Sequence, residues 1–594
     1  MRGISLFVLA PFFIGFSSSQ PHEVYPRARG TTGVLQRQIV NSTECPGTFE
    51  HVSAEDYVAA SDPGWNLGNT LDAIQTEGDW NNPKVESVTF EDARAAGFSS
   101  VRIPVTWAYH FITDGPTWTV DPDWLQRVSD VIDMALSYGF YVITNVHHDS
   151  WNWYDFSKPD ADVQMIEEKF YRLWYQIGVK LACKSSKVAF EPINEPPGST
   201  SEHAAQQNRM NEIFLKAIQD AGGFNAQRVV TLVGLGEDTI KTSQWFKPPM
   251  NISNPWALQY HYYSPYDFIF GAWGKTIWGS EADITALESD IANVRNNFTQ
   301  VPLIIGEWSA SPIHTETAAR WKFYDHFIRL AKKYNTSTML WDNGADQLDR
   351  TVHIWRDPVA IDVLMSAQKG EVNSLPDSTK DAAAESQFSS AFLFHHAGTM
   401  PTDQKLPFVF NGNTLDKVTA GSIVLEKDWD YFVASDSITF KSNFVSNFVR
   451  PSWNNFTSSI GIAGGIVLSF SQGADICLRI VQWDTPTLLE TTSMVDASED
   501  LYIPISWKGL SKPAAVRAMK SDGGILVDDW TQWLGPLQRG RLTFDSHYNW
   551  DSAHLILRRS LLESVVNSGQ NVTITVEGFP RVPGNEANYT LTVV

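Results

Sequence analysis

Short apolar runs alternate with longer amphipathic stretches between about residue 49 and residue 372. The short runs are rich in β-branched residues, as buried strands are, whereas the longer stretches space their apolar residues along one face of a helix. The predicted strands are GWNLGN, SSVRIPV, FYVITNVHH, KVAFEPINE, RVVTLVG, WALQYHYY, PLIIGEW and TMLWDNG. The predicted helices cover residues 124–138, 162–181, 202–221, 281–297 and 315–334. This alternation predicts an α/β fold, a (β/α)8 TIM barrel with its active site at the C-terminal ends of the strands.

The pattern changes after the predicted barrel, which occupies residues 49–372. Residues 373–390, NSLPDSTKDAAAESQFSS, are polar and lack periodicity, so we expect a linker there. Residues 391–482 hold short strand candidates separated by the turn signals NGN, AGS and ASDS, which predicts a small β-sandwich. Residues 483–594 are again mostly β in character, with one helix candidate at residues 560–566, and form a second predicted β-sandwich module.

The first residues, 1–19, have the pattern of a secretory signal peptide. Arg2 precedes an apolar run over residues 4–16, and small serines follow it at positions 17–19. No later run of about 20 apolar residues is present, so we expect no membrane anchor. Residues 20–48 are expected to be irregular. Sequons for N-glycosylation agree with secretion and lie at Asn41, Asn251, Asn297, Asn335, Asn455, Asn571 and Asn588. We therefore expect an extracellular glycoprotein.

Composition and charge narrow the class of partner. The chain has 594 residues, which is too long for one core, and its 43% hydrophobic residues indicate globular domains. The 45 basic and 67 acidic residues give a net charge of -22, which would repel nucleic acid and anionic membranes. This negative charge favours an uncharged substrate over an anionic one. The cysteines, Cys45, Cys183 and Cys477, lack metal-ligand spacing and predict neither a zinc site nor a disulfide framework. A Cys45–Cys183 bridge stays open, and Cys477 is expected to be a buried, inert thiol.

Two glutamates at predicted strand ends carry the chemistry. Glu195 follows the fourth predicted strand, and Glu307 ends the seventh. In a barrel both project from the same face toward one cleft. Hydrolysis of a glycosidic bond with retention needs one carboxylic acid to protonate the leaving oxygen and one carboxylate to attack the anomeric carbon. The pair therefore predicts a glycosidase, although a single strand-end glutamate could equally form an ion pair in the barrel rim.

The ordered motifs RIPV, INEP, HYY and GEW resemble glycoside hydrolase family 5, the large cellulase family of retaining barrel enzymes. The segment GWNLGNTLDA, residues 64–73, is similar to the first strand and loop of the family's endoglucanases, and the resemblance covers residue 62 to about residue 370. It implies that Glu195 is the acid/base and Glu307 the nucleophile. It also implies that Asn194 hydrogen-bonds the sugar 2-hydroxyl and that Arg102 keeps Glu307 ionised.

The same resemblance implies a set of substrate-binding residues. His147 would bind the sugar beside the cleavage point, with His148 as its neighbour. His261 and Tyr263 match an HxY pair in which the tyrosine hydroxyl orients the nucleophile. Trp341 would offer its indole face to a glucosyl ring. Each of these side chains could alternatively serve barrel packing.

The C-terminal modules carry resemblances of their own. The segment from KLPFVFNGNTL to the strand near residue 476 is similar to an immunoglobulin-like spacer found beside some family 5 enzymes. The terminal stretch, with DLYIPISWKGL and DDWTQWLGPL, is similar to carbohydrate-binding module family 46. Its candidate sugar platform is Trp507, Trp530, Trp533 and Trp550, of which we expect about two to be exposed and the rest to be core.

The function expected from these features is that of a secreted, retaining endo-β-1,4-glucanase that acts on cellulose-like β-glucans as a monomer. Burial and the second carboxylate are expected to raise the pKa of Glu195, while Arg102 opposes a rise at Glu307. The chemistry requires no metal or cofactor. Alternatives are hydrolysis of xyloglucan, mixed-linkage β-glucan or β-mannan, since specificity resides in loops rather than in catalytic residues. A non-catalytic glycan-binding protein or a structural cell-wall protein is the alternative of a different class.

Overall fold

The computed structural model describes residues 43–250, 252–449 and 460–593. The predicted signal peptide, residues 20–42 of the predicted irregular segment, and the sequons at Asn41, Asn251 and Asn455 lie outside these described residues. None of the described helices is long and apolar enough to cross a membrane.

Eight parallel strands close into a barrel in the order β1 to β8. Their bounds are β1 Gly64–Asn66, β2 Ser100–Ile103, β3 Tyr141–Asn145, β4 Val188–Glu191, β5 Val230–Val233, β6 Trp256–Tyr262, β7 Leu303–Trp308 and β8 Thr336–Leu340. Nearly every strand residue is buried, because the barrel interior covers one face and the helices cover the other. Each strand lies within or overlaps its predicted segment, which confirms the TIM-barrel prediction.

The helices of the barrel region are α1 Ala54–Ser61, α2 Ser87–Ala96, α3 Pro122–Ser137, α4 Val163–Leu181, α5 Ser201–Ala221, α6 Thr239–Trp245, α7 Tyr266–Ile269, α8 Glu281–Asn297, α9 Thr317–Lys333 and α10 Pro358–Lys369. Local sequence fixes their starts. In the capping box of α8, the Ser280 hydroxyl accepts from the Asp283 amide and the Asp283 carboxylate accepts from the Ser280 amide. Helices α3, α4, α5, α8 and α9 match the predicted ones within about two residues at each end.

Beyond α10 the structure is almost entirely β. Two short strands, β9 Leu348–Asp349 and β10 Ile354–Trp355, lie at the barrel rim before α10. The first module contains β11 Leu375–Pro376, β12 Phe392–His396, β13 Gln404–Val409, β14 Leu415–Ala420, β15 Ile423–Val424, β16 Tyr431–Ala434, β17 Ser437–Phe440, α11 Ser442–Val445, β18 Gly461–Phe470 and β19 Ile476–Trp483. Its sheets have the orders β11-β13-β17-β16 and β12-β19-β18-β14-β15.

The terminal module repeats this two-sheet plan. It contains β20 Thr487–Leu488, β21 Thr492–Met494, β22 Leu501–Ser506, β23 Ala515–Lys520, β24 Tyr548–Trp550, β25 His554–Leu557, α12 Arg559–Ser568, β26 Val572–Glu577 and β27 Glu586–Thr592. Its sheets have the orders β20-β22-β25-β24 and β21-β27-β26-β23. The helix predicted at residues 560–566 is α12.

The segment predicted as a linker, residues 373–390, is not a free tether. Strand β11 lies within it and pairs with β13. Asn373 is buried and donates to the Asp325 carboxylate of α9 at 2.7 Å. The buried core of the first module is continuous with that of the barrel, whereas the terminal module has a separate core. Polar composition misled the prediction here, because these residues satisfy their hydrogen bonds by packing against two domains.

The structure shows which of the three cysteines are paired. Cys45 and Cys183 form a disulfide, which ties the N-terminal segment to the chain just after α4. Cys477 lies on β19 and is only partly buried, so the prediction of a buried thiol is wrong in degree. Burial still raises the pKa of its thiol, which disfavours the reactive thiolate.

Candidate active site

Glu195 and Glu307 meet at the C-terminal ends of β4 and β7, as predicted. Glu307 lies inside β7 and is buried, while Glu195 follows β4 in a left-handed backbone conformation with φ of 42°. His261 Nδ1 lies 2.9 Å from Glu195 Oε1 and 3.6 Å from Glu307 Oε2. One ligand atom from each of the three side chains lies within 4.8 Å of the others. This spacing suits a retaining pair, with carboxyls about 5 to 5.5 Å apart, and is too short for the about 6.5 to 9.5 Å of an inverting pair.

Arg102 organises the floor of the site from β2. Its guanidinium is completely buried and donates to Glu307 Oε1 at 2.6 Å. It also donates twice to Glu191, at 2.7 Å each, and to Asn194 Oδ1 at 2.8 Å. Its remaining N–H donates to Asn66 Oδ1 at 3.0 Å. Arg102 is therefore both the partner of Glu307 that the sequence predicted and part of a buried structural ion pair with Glu191.

His147 stands beside this network at the end of β3. Asn145 Nδ2 lies 3.0 Å from His147 Nδ1 and donates to Glu191 at 2.7 Å. Burial, together with the nearby His148 and Arg102, holds the pKa of His147 well below its ordinary value, so its ring is neutral. Its Nε2 lies 4.0 Å from Glu307 Oε1.

His148 lies behind His147 and stacks on Trp151 with ring centroids 3.6 Å apart. Trp80 contacts the same ring at 5.2 Å. Neither ring nitrogen of His148 has a hydrogen-bond partner among the described residues, and Asp72 Oδ2 lies 3.7 Å from its Nε2. The structure thus places His148 in an aromatic cluster beside the catalytic pair rather than in contact with it.

Tyr263 and Trp341 complete the walls. The Tyr263 hydroxyl donates to Glu307 Oε2 at 2.9 Å, and burial followed by the charge of Glu307 raises its pKa well above the ordinary value, so it remains a donor. The Trp341 ring is parallel to that of His147, with centroids 5.9 Å apart. A Cβ at Gly68 would lie 2.7 Å from the Trp341 ring, so glycine is needed beneath the indole.

The electrostatic tuning differs from the prediction. Burial acts to lower the pKa of His261, but the carboxylates of Glu237, Glu307 and Glu195 raise it to about 9. Burial acts to raise the pKa of Glu195, yet the hydrogen bond and charge of His261 bring it below its ordinary value. Burial, aided by the charge of Glu195, raises the pKa of Glu307. The reversal arises because Arg102 shares its charge between Glu191 and Glu307, whereas Glu195 bonds directly to a cationic histidine.

Two buried glutamates of the site were missed. Glu191 is the last residue of β4 and lies inside the quoted motif VAFEPINEP, where Glu195 drew the attention. Glu237 lies in the loop GLGED after β5 and is completely buried. Its carboxylate accepts from the Glu195 amide at 2.8 Å, and burial raises its pKa to about 8. The position of Glu237 just past the end of a barrel strand was the sequence signal that could have identified it as a site residue.

Two clusters have the spacing to hold a cation. One is the catalytic group of Glu195, His261 and Glu307, and the other is Asp72, His147 and His148, each with ligand atoms within 4.8 Å. Both belong to the carboxylate and aromatic environment already described.

The four candidate tryptophans of the terminal module divide as expected. Trp533 is 83% exposed and Trp530 is 41% exposed. Trp507 is buried in the module core and donates its indole N–H to the Asp551 carbonyl, so its candidacy as a sugar platform is corrected. Trp550 is partly buried against the same core. Trp530 contacts Trp273 of the barrel edge-on, with centroids 4.5 Å apart.

Comparisons with known proteins agree with this site. Residues 63–347 match the model of the cellulase family, glycosyl hydrolase family 5, and residues 387–480 match that of carbohydrate binding domain X2. The second match covers most of the first module, whose likeness to an immunoglobulin-like spacer stays a prediction, as does the likeness of the terminal module to family 46. The chain is 28% identical to endoglucanase B of Paenibacillus lautus over 557 residues, 90% of this chain and 91% of that protein.

Solved structures extend the likeness to all three modules. A tri-modular family 5, subfamily 4 endo-β-1,4-glucanase from Bacillus licheniformis, crystallised with cellotetraose, is 33% identical with a TM-score of 0.80 and covers 91% of this chain and all of that one. Endo-β-1,4-glucanase B of Bacillus halodurans, at 24% identity and a TM-score of 0.76 over 91% of this chain and 100% of its own, shares the fold. The chain belongs to glycoside hydrolase family 5.

Proposed function

We propose that this chain is a retaining endo-β-1,4-glucanase in which Glu307 attacks the anomeric carbon and Glu195 protonates the leaving oxygen. The observation that carries the proposal is the short separation of the two carboxyls around His261. The relatives that this chain matches over most of their length are endoglucanases, which supports the proposal.

The first step forms a covalent glycosyl-enzyme. Glu307 Oε1 is held by Arg102 and Oε2 by the Tyr263 hydroxyl, which fixes the carboxylate for attack. As the bond from Glu307 to the anomeric carbon forms, the glycosidic C–O bond breaks and its oxygen takes the proton of Glu195. The Glu195 carboxylate left behind is stabilised by the hydrogen bond from His261. In the second step Glu195 takes a proton from water, which attacks the anomeric carbon and releases Glu307.

Asn194 is arranged to contact the sugar during both steps. Arg102 donates to its Oδ1, and no hydrogen bond among the described residues uses its amide nitrogen. The amide N–H groups are therefore free to donate to the 2-hydroxyl, a contact that strengthens as oxocarbenium character develops.

The substrate class is an extended, neutral β-glucan. A row of aromatic rings leads away from the catalytic pair, with centroid distances of 5.6 Å from Tyr263 to Phe270, 5.1 Å from Phe270 to Tyr266 and 5.8 Å from Tyr266 to Trp273. Trp530 of the terminal module continues it. Indole and phenol faces bind the apolar faces of pyranose rings without charge. We propose that polymer bound across the barrel also contacts this row.

Product stereochemistry tests the proposal most directly. Proton NMR during early hydrolysis of cellotetraose should show the β-anomer first, because two displacements at one carbon restore its configuration. An α-anomer as the first product would refute the assignment of Glu307 as nucleophile. Initial rates on β-1,4-glucan, xyloglucan, mixed-linkage β-glucan and β-mannan would then rank the substrates.

Secretion is proposed on two observations. The signal-like sequence at residues 1–19 is one, and the Cys45–Cys183 disulfide is the other, since disulfides form in oxidising compartments. Recovery of the protein from the medium, with its N-terminus near residue 20, would support secretion, and retention in the cytoplasm would refute it. Monomeric state remains a prediction that size-exclusion chromatography can test.

A further inference from the structure

Glu237 is a buried carboxyl that the catalytic steps above do not use. It follows Gly236 in the loop after β5, and both residues have left-handed φ angles, 67° and 49°. Glycine adopts such a conformation easily, but a glutamate does so at a cost, which persists only where the surroundings enforce it. The strain brings the Glu237 carboxylate beneath the acid/base.

The contacts of Glu237 all point to the same partner. Its Oε2 accepts from the backbone amide of Glu195 at 2.8 Å and lies 3.3 Å from His261 Nε2. The other nitrogen of that ring, Nδ1, lies 2.9 Å from Glu195 Oε1. Gln259 Nε2 donates to Glu237 Oε1 at 3.1 Å. Glu237 thus holds Glu195 directly through its peptide and lies within ion-pair distance of the imidazole that contacts the Glu195 carboxylate.

The charges around this pair come from several strands. The charged groups of the site are Glu191, Glu195, Glu237, Glu307, Arg102 and His261. The carboxyls outnumber the cations by two, and Arg102 already serves Glu191 and Glu307. Burial raises the pKa of Glu237 to about 8, so its role beside His261 rests on position rather than on a fixed negative charge. The other titratable side chains near the pair are His147, His148 and Tyr263, of which His147 is neutral and Tyr263 keeps its proton.

We propose that Glu237 is a positioning residue that fixes the Glu195 peptide and the His261 ring beside it, so that the Glu195 carboxyl faces the leaving group. The proposal rests on the role of Glu195 stated under Proposed function. It predicts that changes at Glu237 affect the protonation of the leaving group and leave the nucleophilic attack of Glu307 intact.

Two substrates separate these steps. For Glu237→Ala we expect kcat/KM on cellotetraose to fall by about 10- to 100-fold, a part of the full general-acid effect. On 2,4-dinitrophenyl β-cellobioside, whose leaving group needs no proton, kcat/KM should change by less than about threefold. Equal losses on both substrates would show that Glu237 only supports the fold and would overturn the proposal.

The conservative variant tests whether position alone suffices. Glu237→Gln keeps an oxygen acceptor for the Glu195 amide, and burial already favours the uncharged form of Glu237. Its kcat/KM on cellotetraose at acid pH should therefore recover to within about threefold of wild type. A loss on cellotetraose as large as that of Glu237→Ala contradicts the proposal.

A matched control is Glu316→Gln, because Glu316 is also buried and accepts two backbone amides, at the start of α9. It should lower thermal stability without changing the ratio of the two substrates. Glu195→Gln distinguishes the two levels of inference. If it loses activity equally on both substrates, the proposed function fails; if only the Glu237 variants do so, this inference alone fails.

Discussion

Arg102→Lys tests the network beneath the nucleophile. A guanidinium has five N–H donors, and Arg102 uses all five: two on Glu191 and one each on Glu307, Asn194 and Asn66. Lysine keeps the charge but has three donors at one point, so at least two of the five hydrogen bonds must be lost. An alanine would leave buried carboxylates without a cation, which costs about 3 to 5 kcal/mol of stability and complicates any kinetic reading.

The magnitude follows from the bond to Glu307. A hydrogen bond to a charged group contributes about 1.5 to 3 kcal/mol. Loss of the 2.6 Å contact should therefore lower kcat/KM on cellotetraose by about 10- to 150-fold. Arg102 also lowers the pKa of Glu307, so its displacement should raise that pKa and move the acid limb of the kcat/KM profile to higher pH.

The control is Arg228→Lys, a second buried arginine. Arg228 donates to backbone carbonyls, those of Ser185 at 2.7 Å and Val188 at 2.8 Å, just before β5 and at the opposite end of the barrel from the site. It should lower the melting temperature and leave the acid limb in place. An Arg102→Lys enzyme with kcat/KM within twofold of wild type and an unmoved acid limb would refute the reasoning.

Further predictions concern the catalytic pair and the terminal module. Glu307→Gln should abolish turnover of all glucans, including activated aryl glycosides, in steady-state assays, whereas Glu195→Gln should still release dinitrophenol in a burst because that leaving group needs no proton. Trp530→Ala and Trp533→Ala should weaken hydrolysis of long β-glucan more than hydrolysis of cellotetraose. If each variant hydrolyses both substrates at the wild-type rate, the two tryptophans do not form a sugar-binding platform. Lys512 of the terminal module is half-buried and donates to the Pro312 and Ile313 carbonyls of the barrel, and desolvation there lowers its pKa to about 7. Wild type should therefore lose stability as the pH falls from 10 to 7, because over that range the unfolded chain holds a proton on Lys512 that folding must release, and Lys512→Met should gain in melting temperature relative to wild type as the pH falls.

Much of the barrel was predictable because its signals are local. Runs such as VAFE and LIIGEW are continuous and apolar, as strands buried on both faces must be, and the motifs that follow them place Glu195 and Glu307 on one rim. Arg102 and Tyr263 were predicted as partners of the nucleophile, and both contact it.

The remainder depends on contacts that no local pattern records. Glu237 reaches Glu195 only because two successive left-handed residues turn the loop inward, and sequence periodicity carries no trace of such a turn. The expected pKa order of Glu195 and Glu307 was wrong because it omitted His261 as a cation and Glu191 as a competitor for Arg102. The polar composition of residues 373–390 indicated a linker, yet the polar groups there bond to neighbouring domains.

That packing changes how the terminal module can assist the barrel. A tethered module raises the local concentration of polymer according to the length of its linker. Here Arg581 of the terminal module donates to the Gly274 carbonyl at 3.0 Å and to the Thr276 hydroxyl at 2.9 Å, on the barrel loop that also carries Trp273. Trp273 in turn donates to Asp528 at 2.9 Å. Since the module is fixed to this loop, Trp530 keeps a set position relative to Tyr263 and Glu307. We therefore expect the module to act as an extension of the cleft wall, with a contribution that depends on the register of a bound chain rather than on the reach of a linker.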